Sequence, residues 1–374
     1  MSILTKREFL RLSVAGFACM ACPGLSRAAF SGRDPGKFST EAHFYTVTPR
    51  GVLCGICPNE CTLKPGEEST CHNRVNFGNK LYSVAYGNPC AVHVDPVEKK
   101  PLLHFMPQSK TFSVATAGCS FACLNCQNWE ISQTSPSKTR NITLMPADVV
   151  KTCMESNCQS IAYTYSEPIS FYEYMFDTAK IASGKGIRNI MVSNGYINPD
   201  PLRKLIPFID AANIDLKAFD NAVYLKLTGG KLQPVLDTLV TFQKSKTWLE
   251  ITNLVVPSWS DNLDMISRMC KWLAQNGFQE VPLHFSRFTP LHKLTQLPPT
   301  PLNTLIKARE AALAEGLKFV YIGNVPGKGF ENTYCPSCEK MVIERRGYSI
   351  VHNNMEDGKC KSCGKVIAGI WDQG

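Results

Sequence analysis

Short apolar runs rich in β-branched and aromatic residues recur through the middle of the chain. They predict strands at Phe112–Thr116, Ile161–Tyr165, Arg188–Ser193, Ala212–Leu216, Leu249–Val256, Val281–Phe288 and Lys318–Ile322. Helical patterns lie between them. One opens at Pro146 and runs to Ser156, with proline at a first position where its missing N–H costs nothing. A second spans Phe171 to Ala182 and stops at Gly184. A third carries Leu263, Ile266, Cys270 and Leu273 at three- to four-residue spacing and ends at Asn276-Gly277. A fourth has Thr300 as cap, Pro301 in its first turn and Gly316 as its stop. Alternation of strand and helix predicts an α/β domain over residues 111–326, built on a parallel sheet or barrel. Cys153, Cys158 and Cys270 fall on or beside helical patterns and read as core packing.

The flanks have a different texture. Residues 41–110 are rich in Gly, Pro and Asn, with a turn at Gly78-Asn79-Lys80 ahead of a strand-like Leu81–Tyr86. Asp95–Pro101 reads as a linker whose charges make a solvated surface, and His93 and His104 read as structural imidazoles. Residues 331–374 read as a small module in which Val342–Glu344 and Tyr348–Val351 form a hairpin around Arg345-Arg346-Gly347. Residues 1–40 begin with a basic stretch, Thr5 to Arg11. An apolar run, Leu12 to Ala21, and the small-residue Ser26-Arg27-Ala28 follow. These are the parts of an export signal of the twin-arginine type, with Lys6 in place of the first arginine; the alternative is a disordered basic tail or an uncleaved amphipathic extension. The apolar run is too short to span a membrane.

Length and composition fit an ordinary globular protein of two or three modules: 374 residues, 44% hydrophobic and 19% charged. The net charge of +9 is spread along the chain without a long Lys/Arg block, which argues against nucleic acid as the main partner. Seventeen cysteines is the unusual count. Their close spacings predict metal sites in a reducing compartment rather than a secreted disulfide scaffold.

Three groups carry that chemistry. Cys119, Cys123 and Cys126 share one loop directly after the first central strand, with Gly118 at the join. Stable iron–sulfur clusters have four cysteine ligands as a rule, so three leave one iron open to chelate a small molecule. A structural zinc knuckle with a distant fourth ligand is the competing reading. Cys54, Cys57, Cys61 and Cys71 lie close together among turn residues and make a second metal site, zinc by default and iron–sulfur as the alternative. Cys335, Cys338, Cys360 and Cys363 form two Cys-x2-Cys knuckles at near zinc-ribbon spacing, for zinc or a rubredoxin-like iron.

Sites in parallel α/β folds collect at the carboxyl ends of strands. Polar residues gather there: Tyr163-Thr164-Tyr165-Ser166-Glu167-Pro168, Ser193-Asn194-Gly195-Tyr196, Asp215-Leu216-Lys217, then His284 and Arg287. A carboxylate such as Glu167 suits an ammonium, Asp215 suits ribose hydroxyls, and Lys217 suits a carboxylate.

These motifs, together with Val255-Val-Pro-Ser-Trp-Ser-Asp261, resemble the radical SAM superfamily, in the branch related to pyruvate formate-lyase activating enzyme. The run Cys123 to Gln133, with cysteine-rich modules on both sides, is similar to the AmmeMemoRadiSam-system enzymes. The resemblance implies a partial (β/α)6 barrel and a [4Fe–4S] cluster on Cys119, Cys123 and Cys126. It implies S-adenosylmethionine (SAM) held at its amino group by Glu167 and elsewhere by Ser193, Asn194, Asp215 and Lys217, with His284 and Arg287 as further candidate contacts. It implies reductive cleavage to a 5′-deoxyadenosyl radical that takes hydrogen from a small-molecule or protein substrate. A low-potential donor of flavodoxin or ferredoxin type would then be a partner, and the cytoplasm the expected compartment. Many members carry an aromatic before the third cysteine, packed near adenine; here it is Asn125. Glycyl-radical-enzyme activation, nucleic-acid modification gripped by the zinc ribbon and Arg345-Arg346, and non-catalytic electron transfer are the alternative functions.

Overall fold

The computed structural model describes residues 35–372. The expected export signal at residues 1–34 lies outside the described residues. Within the 1–40 leader only its end is described, where Thr40–Glu41 pairs antiparallel with Lys80–Ser83.

An eight-stranded sheet organises the chain: β1 (Ala91–Pro96), β2 (Lys110–Ala115), β3 (Ser160–Tyr163), β4 (Arg188–Ser193), β5 (Ala211–Asp215), β6 (Trp248–Val255), β7 (Leu283–Arg287) and β8 (Val320–Gly323). The strands lie side by side in chain order, with β1 and β8 at the two edges. Strands β2 to β8 are parallel, and β1 runs antiparallel to β2. The crossovers carry α1 (Pro146–Glu155), α2 (Tyr172–Ser183), α3 (Pro199–Leu205), α4 (Asn221–Thr228), α5 (Leu232–Gln243), α6 (Leu263–Gln275) and α7 (Leu302–Ala314). The seven expected central strands are β2 to β8, displaced by a residue or two at most of their ends. The fourth expected helix starts one residue later than read, with Pro301 as its N-cap. Helices α3, α4 and α5 had not been anticipated.

Alternation along each strand divides the sheet into two faces. Ile161, Met191, Ile214, Ile251 and Phe285 pack with the helices in the main core. Ala162, Ile190 and Ala211 face the other way, against Val97, Leu102, Phe105 and Met106. The amino-terminal module shares the main core through Val52, Leu63 and Leu81. The carboxyl-terminal module packs Val342 and Ile343 against Phe319 and Tyr321 at the β8 edge.

Two expectations are overturned. Asp95–Pro101 is not a solvated linker: Asp95, Glu98 and Lys100 are all buried. Lys100 Nζ reaches Asp95 Oδ2 at 2.6 Å, Ser113 Oγ donates to the same oxygen, and Glu98 accepts the Gln108 N–H. Burial is affordable because partners distant in sequence complete these groups. Arg345 is not a turn residue. It belongs to the hairpin strand Met341–Arg346, which pairs with Ser349–Asn353, and is 3% exposed. Its guanidinium donates to the carbonyls of Glu331 and Leu103 and to Thr333 Oγ1, so it fastens the module to the chain below the sheet.

Candidate metal centre and cofactor site

The loop after β2 turns at Gly118, whose φ of +98° favours glycine. A Cβ there would stand 2.4 Å from the carbonyl oxygen of Cys71. The loop is then pinned at several points. Gly118 N–H donates to Ile131 O, and the N–H groups of Ala122 and Leu124 donate to Thr228 O and Leu227 O at the end of α4. Gln133 Nε2 donates to Phe121 O, and Asn73 Nδ2 to Ala117 O. These bonds hold Cys119, Cys123 and Cys126 on a fixed backbone. Phe121 N–H points at Cys119 Sγ at 3.3 Å, and Ser132 Oγ lies 3.0 Å from Cys126 Sγ. Burial raises Cys119 well above the usual thiol range and pushes Cys123 up to about 12. Such thiols stay protonated until a metal displaces the proton.

Glu167 follows β3 and is buried at 3% exposure. Its carboxylate caps the turn Pro168–Phe171 through Ile169 N–H. It also accepts from Ser193 Oγ at 2.7 Å and from Asn194 N–H at 2.8 Å, both at the end of β4. Burial nevertheless pushes Glu167 up to about 7, against these donors and the charge of Lys217. Among the described residues no cation lies within ion-pair distance of it. Asn194 continues the connection: its Nδ2 lies 3.0 Å from Ser120 Oγ and 3.9 Å from Cys119 Sγ. Glu167, Ser193 and Asn194 thus reach the cysteine loop through Ser120, a residue sequence reasoning passed over because a loop serine carries no signal of its own.

Asp215, the last residue of β5, pairs with Lys217 at 2.7 Å. Lys217 draws the Cys123 thiol down and Asp215 pushes it up, both working against or with the larger effect of burial. Asn125 Oδ1 is buried without a partner beside Cys126. Three thiols on one pinned loop, an isolated buried carboxylate and an orphaned acceptor form a donor set that fits an iron–sulfur cluster with an amino-bearing ligand on its open iron.

His284 and Arg287 are not brought into this group. His284 Nε2 donates to Glu250 Oε2 at 2.6 Å, and its ring stacks on Tyr321. Glu250 also accepts from Leu103 N, His104 N and Trp248 Nε1. Burial pushes Glu250 up, but the His284 bond and the neighbouring imidazoles bring it below its usual range. This is a structural network on the face away from the helices. Arg287 Nε donates to the Thr300 carbonyl.

The flanking cysteines form two further groups. Cys54, Cys57, Cys61 and Cys71 line one small cavity with Arg74 and Ser120. Cys335, Cys338, Cys360 and Cys363 have sulfurs all within 4.8 Å of one another, with Cys335–Cys363 at 3.5 Å and Cys338–Cys360 at 3.7 Å. A Zn–S bond of about 2.3 Å places tetrahedral sulfurs about 3.8 Å apart, so this set is closed on the dimensions of a single ion.

The family model described as the Radical SAM superfamily matches residues 113–273. An uncharacterized protein of Methanocaldococcus jannaschii is 46% identical over 331 residues, covering 87% of this chain and 98% of that protein. The pyruvate formate-lyase 1-activating enzyme of Escherichia coli K12 is 24% identical over 164 residues, 43% of this chain and 67% of that enzyme. The pyruvate formate-lyase-activating enzyme of Staphylococcus epidermidis is 23% identical over 228 residues, 56% of this chain and 89% of the enzyme.

Proposed function

Because this chain is an enzyme of the radical SAM superfamily, in the branch of the pyruvate formate-lyase activating enzymes, we propose that Cys119, Cys123 and Cys126 hold its [4Fe–4S] cluster and that SAM binds beside Glu167. A cluster with SAM on its open iron supplies one-electron cleavage to methionine and a 5′-deoxyadenosyl radical, which takes hydrogen from the substrate. The chain's own residues position and shield. Glu167 receives the ammonium of SAM, and Ser193 and Asn194 hold that carboxylate in place. Asp215 and Lys217 take the remaining polar groups of the cofactor. The observation that carries this reading is the connection from Glu167 through Asn194, whose Nδ2 reaches both Ser120 Oγ and the Cys119 sulfur. It sets the amine acceptor beside the iron ligands. The partial (β/α)6 barrel belongs to the same reading, supported by seven parallel strands in chain order.

The flanking modules are metal sites in this account; the sulfur spacing of the carboxyl-terminal one fits a single tetrahedral ion, which we take as zinc over a rubredoxin-like iron. Cysteine modules on both sides favour the AmmeMemoRadiSam type over a dedicated glycyl-radical activase, with a small molecule or a protein as target. Arg345 is spent on internal carbonyls, which removes half of the basic pair that the nucleic-acid reading needs. Dependence on SAM and a flavodoxin- or ferredoxin-type donor favours the cytoplasm over export in this reading. Among the described residues no helix is long and apolar enough to cross a membrane.

Anaerobic reconstitution with iron and sulfide, then dithionite and SAM, tests the reading. Wild-type protein should yield 5′-deoxyadenosine. Cys123→Ala should lose both the cluster of this loop and the product. Retention of both in the variant would reject the assignment.

A further inference from the structure

The two cysteine sets outside the central loop differ in a way that separates their metals. The carboxyl-terminal sulfurs are drawn together to 3.5–3.7 Å, the dimensions of one tetrahedral ion. In the amino-terminal set Cys54, Cys57, Cys61 and Cys71 together line one cavity with Ile56, Arg74 and Ser120. A cube of four irons needs such an arrangement, because each thiolate stands outside a different corner.

The lining of the cavity points the same way. Arg74 is 1% exposed and lies against the cysteines. Its Nη1 bonds both oxygens of Glu173, at 2.7 and 2.6 Å, while Nη2 is buried with no partner. A buried cation with a free donor is costly unless something anionic receives it. Neutral thiols do not; four thiolates around an iron–sulfur core do. A zinc tetrathiolate is also anionic, so Arg74 argues for a metal on this set and the cavity between the sulfurs argues for a cluster. Hydroxyls are placed to donate to two sulfurs: Ser69 Oγ is 3.1 Å from Cys71 Sγ, and Thr70 Oγ1 is 3.5 Å from Cys61 Sγ. Hydrogen bonds of this kind set the potential of a cluster.

The cavity also abuts the central loop. Ser120 lines it, Asn59 Nδ2 donates to Ser120 O at 2.8 Å, and the Cys71 carbonyl occupies the space a side chain at Gly118 would need. We propose that Cys54, Cys57, Cys61 and Cys71 hold a second [4Fe–4S] cluster, with Arg74 as its charge partner, that passes electrons one at a time to the cluster on the Cys119 loop. An external low-potential flavin or iron–sulfur protein reduces the second cluster by one electron. That electron then moves to the first cluster, which returns the second to its oxidised state; no bond is made or broken and no proton is required. The relay rests on the proposed assignment of the Cys119 loop, whereas the second cluster itself does not.

The experiment is a metal count joined to electron paramagnetic resonance (EPR) spectroscopy, on full-length anaerobic protein. Wild type should hold about eight irons, about eight acid-labile sulfides and about one zinc per chain. The triple variant with Cys119, Cys123 and Cys126 changed to alanine should keep about four irons and a reduced-cluster signal that SAM does not alter. Wild type with about four irons and two zincs would overturn the proposal while leaving the Cys119 cluster standing. Wild type that shows only the SAM-insensitive signal, with about four irons, would instead sink the reading of the Cys119 loop and leave the second cluster standing. Cys57→Ala combined with Cys71→Ala should remove the SAM-insensitive signal. It should slow reduction of the remaining cluster by a protein donor at least tenfold, while reduction by dithionite proceeds. Unchanged iron in that variant also overturns the proposal.

Discussion

Ser193 Oγ donates to Glu167 Oε1 at 2.7 Å, tying the end of β4 to the residue that follows β3. The bond spends one lone pair of a carboxylate that has no ion-pair partner among the described residues, and burial pushes that carboxylate up to about 7. An arriving ammonium completes it. Glu167→Gln should weaken SAM binding about 10- to 100-fold, the worth of one charge-assisted hydrogen bond of about 1.5–3 kcal/mol. Iron content should stay unchanged. The sign with pH follows from the carboxylate being the binding form. Wild-type affinity should fall as pH drops below about 7, approaching tenfold per pH unit, with Lys217 the charge that opposes protonation. The Gln variant should show no such slope. Equilibrium dialysis with SAM between pH 6 and 8 measures both, and parallel slopes would exclude Glu167 as the titrating group.

Gly118 carries the sharpest backbone demand near the metal loop. Its φ is +98°, and a Cβ would meet Cys71 O at 2.4 Å and the Asn73 side chain at 2.7 Å. Gly118→Ala should cost about 2–4 kcal/mol, from strain plus contact with backbone that cannot swing away. Both cysteine loops meet at this point, so the variant should also load less iron. Chemical denaturation and an iron assay on the same preparation check the two effects. A stable variant with full iron would mean that the loops can part without loss.

Much of this arrangement was legible in the chain. Cysteine spacing and the strand alternation are local signals, and β4 matches its expected Arg188–Ser193 span at both ends. What failed depended on distant partners. Asp95, Glu98 and Lys100 look like a solvated charge run, yet Tyr165, Ser113 and Gln108 receive them in the interior. Glu250 is an acid within an apolar strand, and only the fold reveals the four donors around it. His284 is a candidate cofactor contact because polar residues gather at strand ends. Register puts it opposite Thr252, with its ring turned to Glu250 on the face away from the helices. Helices α3 to α5 were missed although Val235, Leu236, Leu239 and Phe242 have helical spacing, since Pro199, Pro201, Pro207 and Gly229-Gly230 punctuate that region as loops do.

The carboxyl-terminal module has a hairpin that is largely exposed along Ser349–Asn353 and a core of a few side chains. Its order should therefore depend on the ion held by Cys335, Cys338, Cys360 and Cys363. Replacing Cys335 and Cys338 with serine should abolish amide protection across Met341–Asn353 in hydrogen exchange. Protection of β3 to β6 should be unchanged, because their core does not include the module. Hairpin protection that survives the substitution would show that the Arg345 anchor, not the metal, holds the module.

That anchor runs into a directed chain of hydrogen bonds. Arg345 can only donate, so Thr333 Oγ1 accepts from it at 2.7 Å and gives its own hydrogen to Tyr321 at 2.8 Å. Tyr321 then donates to His104 Nε2 at 2.5 Å, and His104 Nδ1–H donates to Ala368 O at 2.6 Å. The imidazole is fixed as the neutral Nδ1–H tautomer, since a second ring proton would face the Tyr321 hydrogen. Burial draws its pKa down to about 4, with the Glu250 charge opposing and Arg345 and His284 assisting. The unfolded chain takes up this proton near pH 6.5, before the folded one does. Stability from this group is therefore complete above about pH 6.5 and is lost as pH falls toward 4, by about 3 kcal/mol at most. Between pH 7 and 5, urea unfolding of wild type should weaken more steeply than that of His104→Gln. The difference in slope should approach 1.4 kcal/mol per pH unit, and metal loss, common to both proteins, cancels in the comparison. Equal slopes would mean that the folded state accepts the proton, and Tyr321 would then have to turn its hydroxyl away from His104.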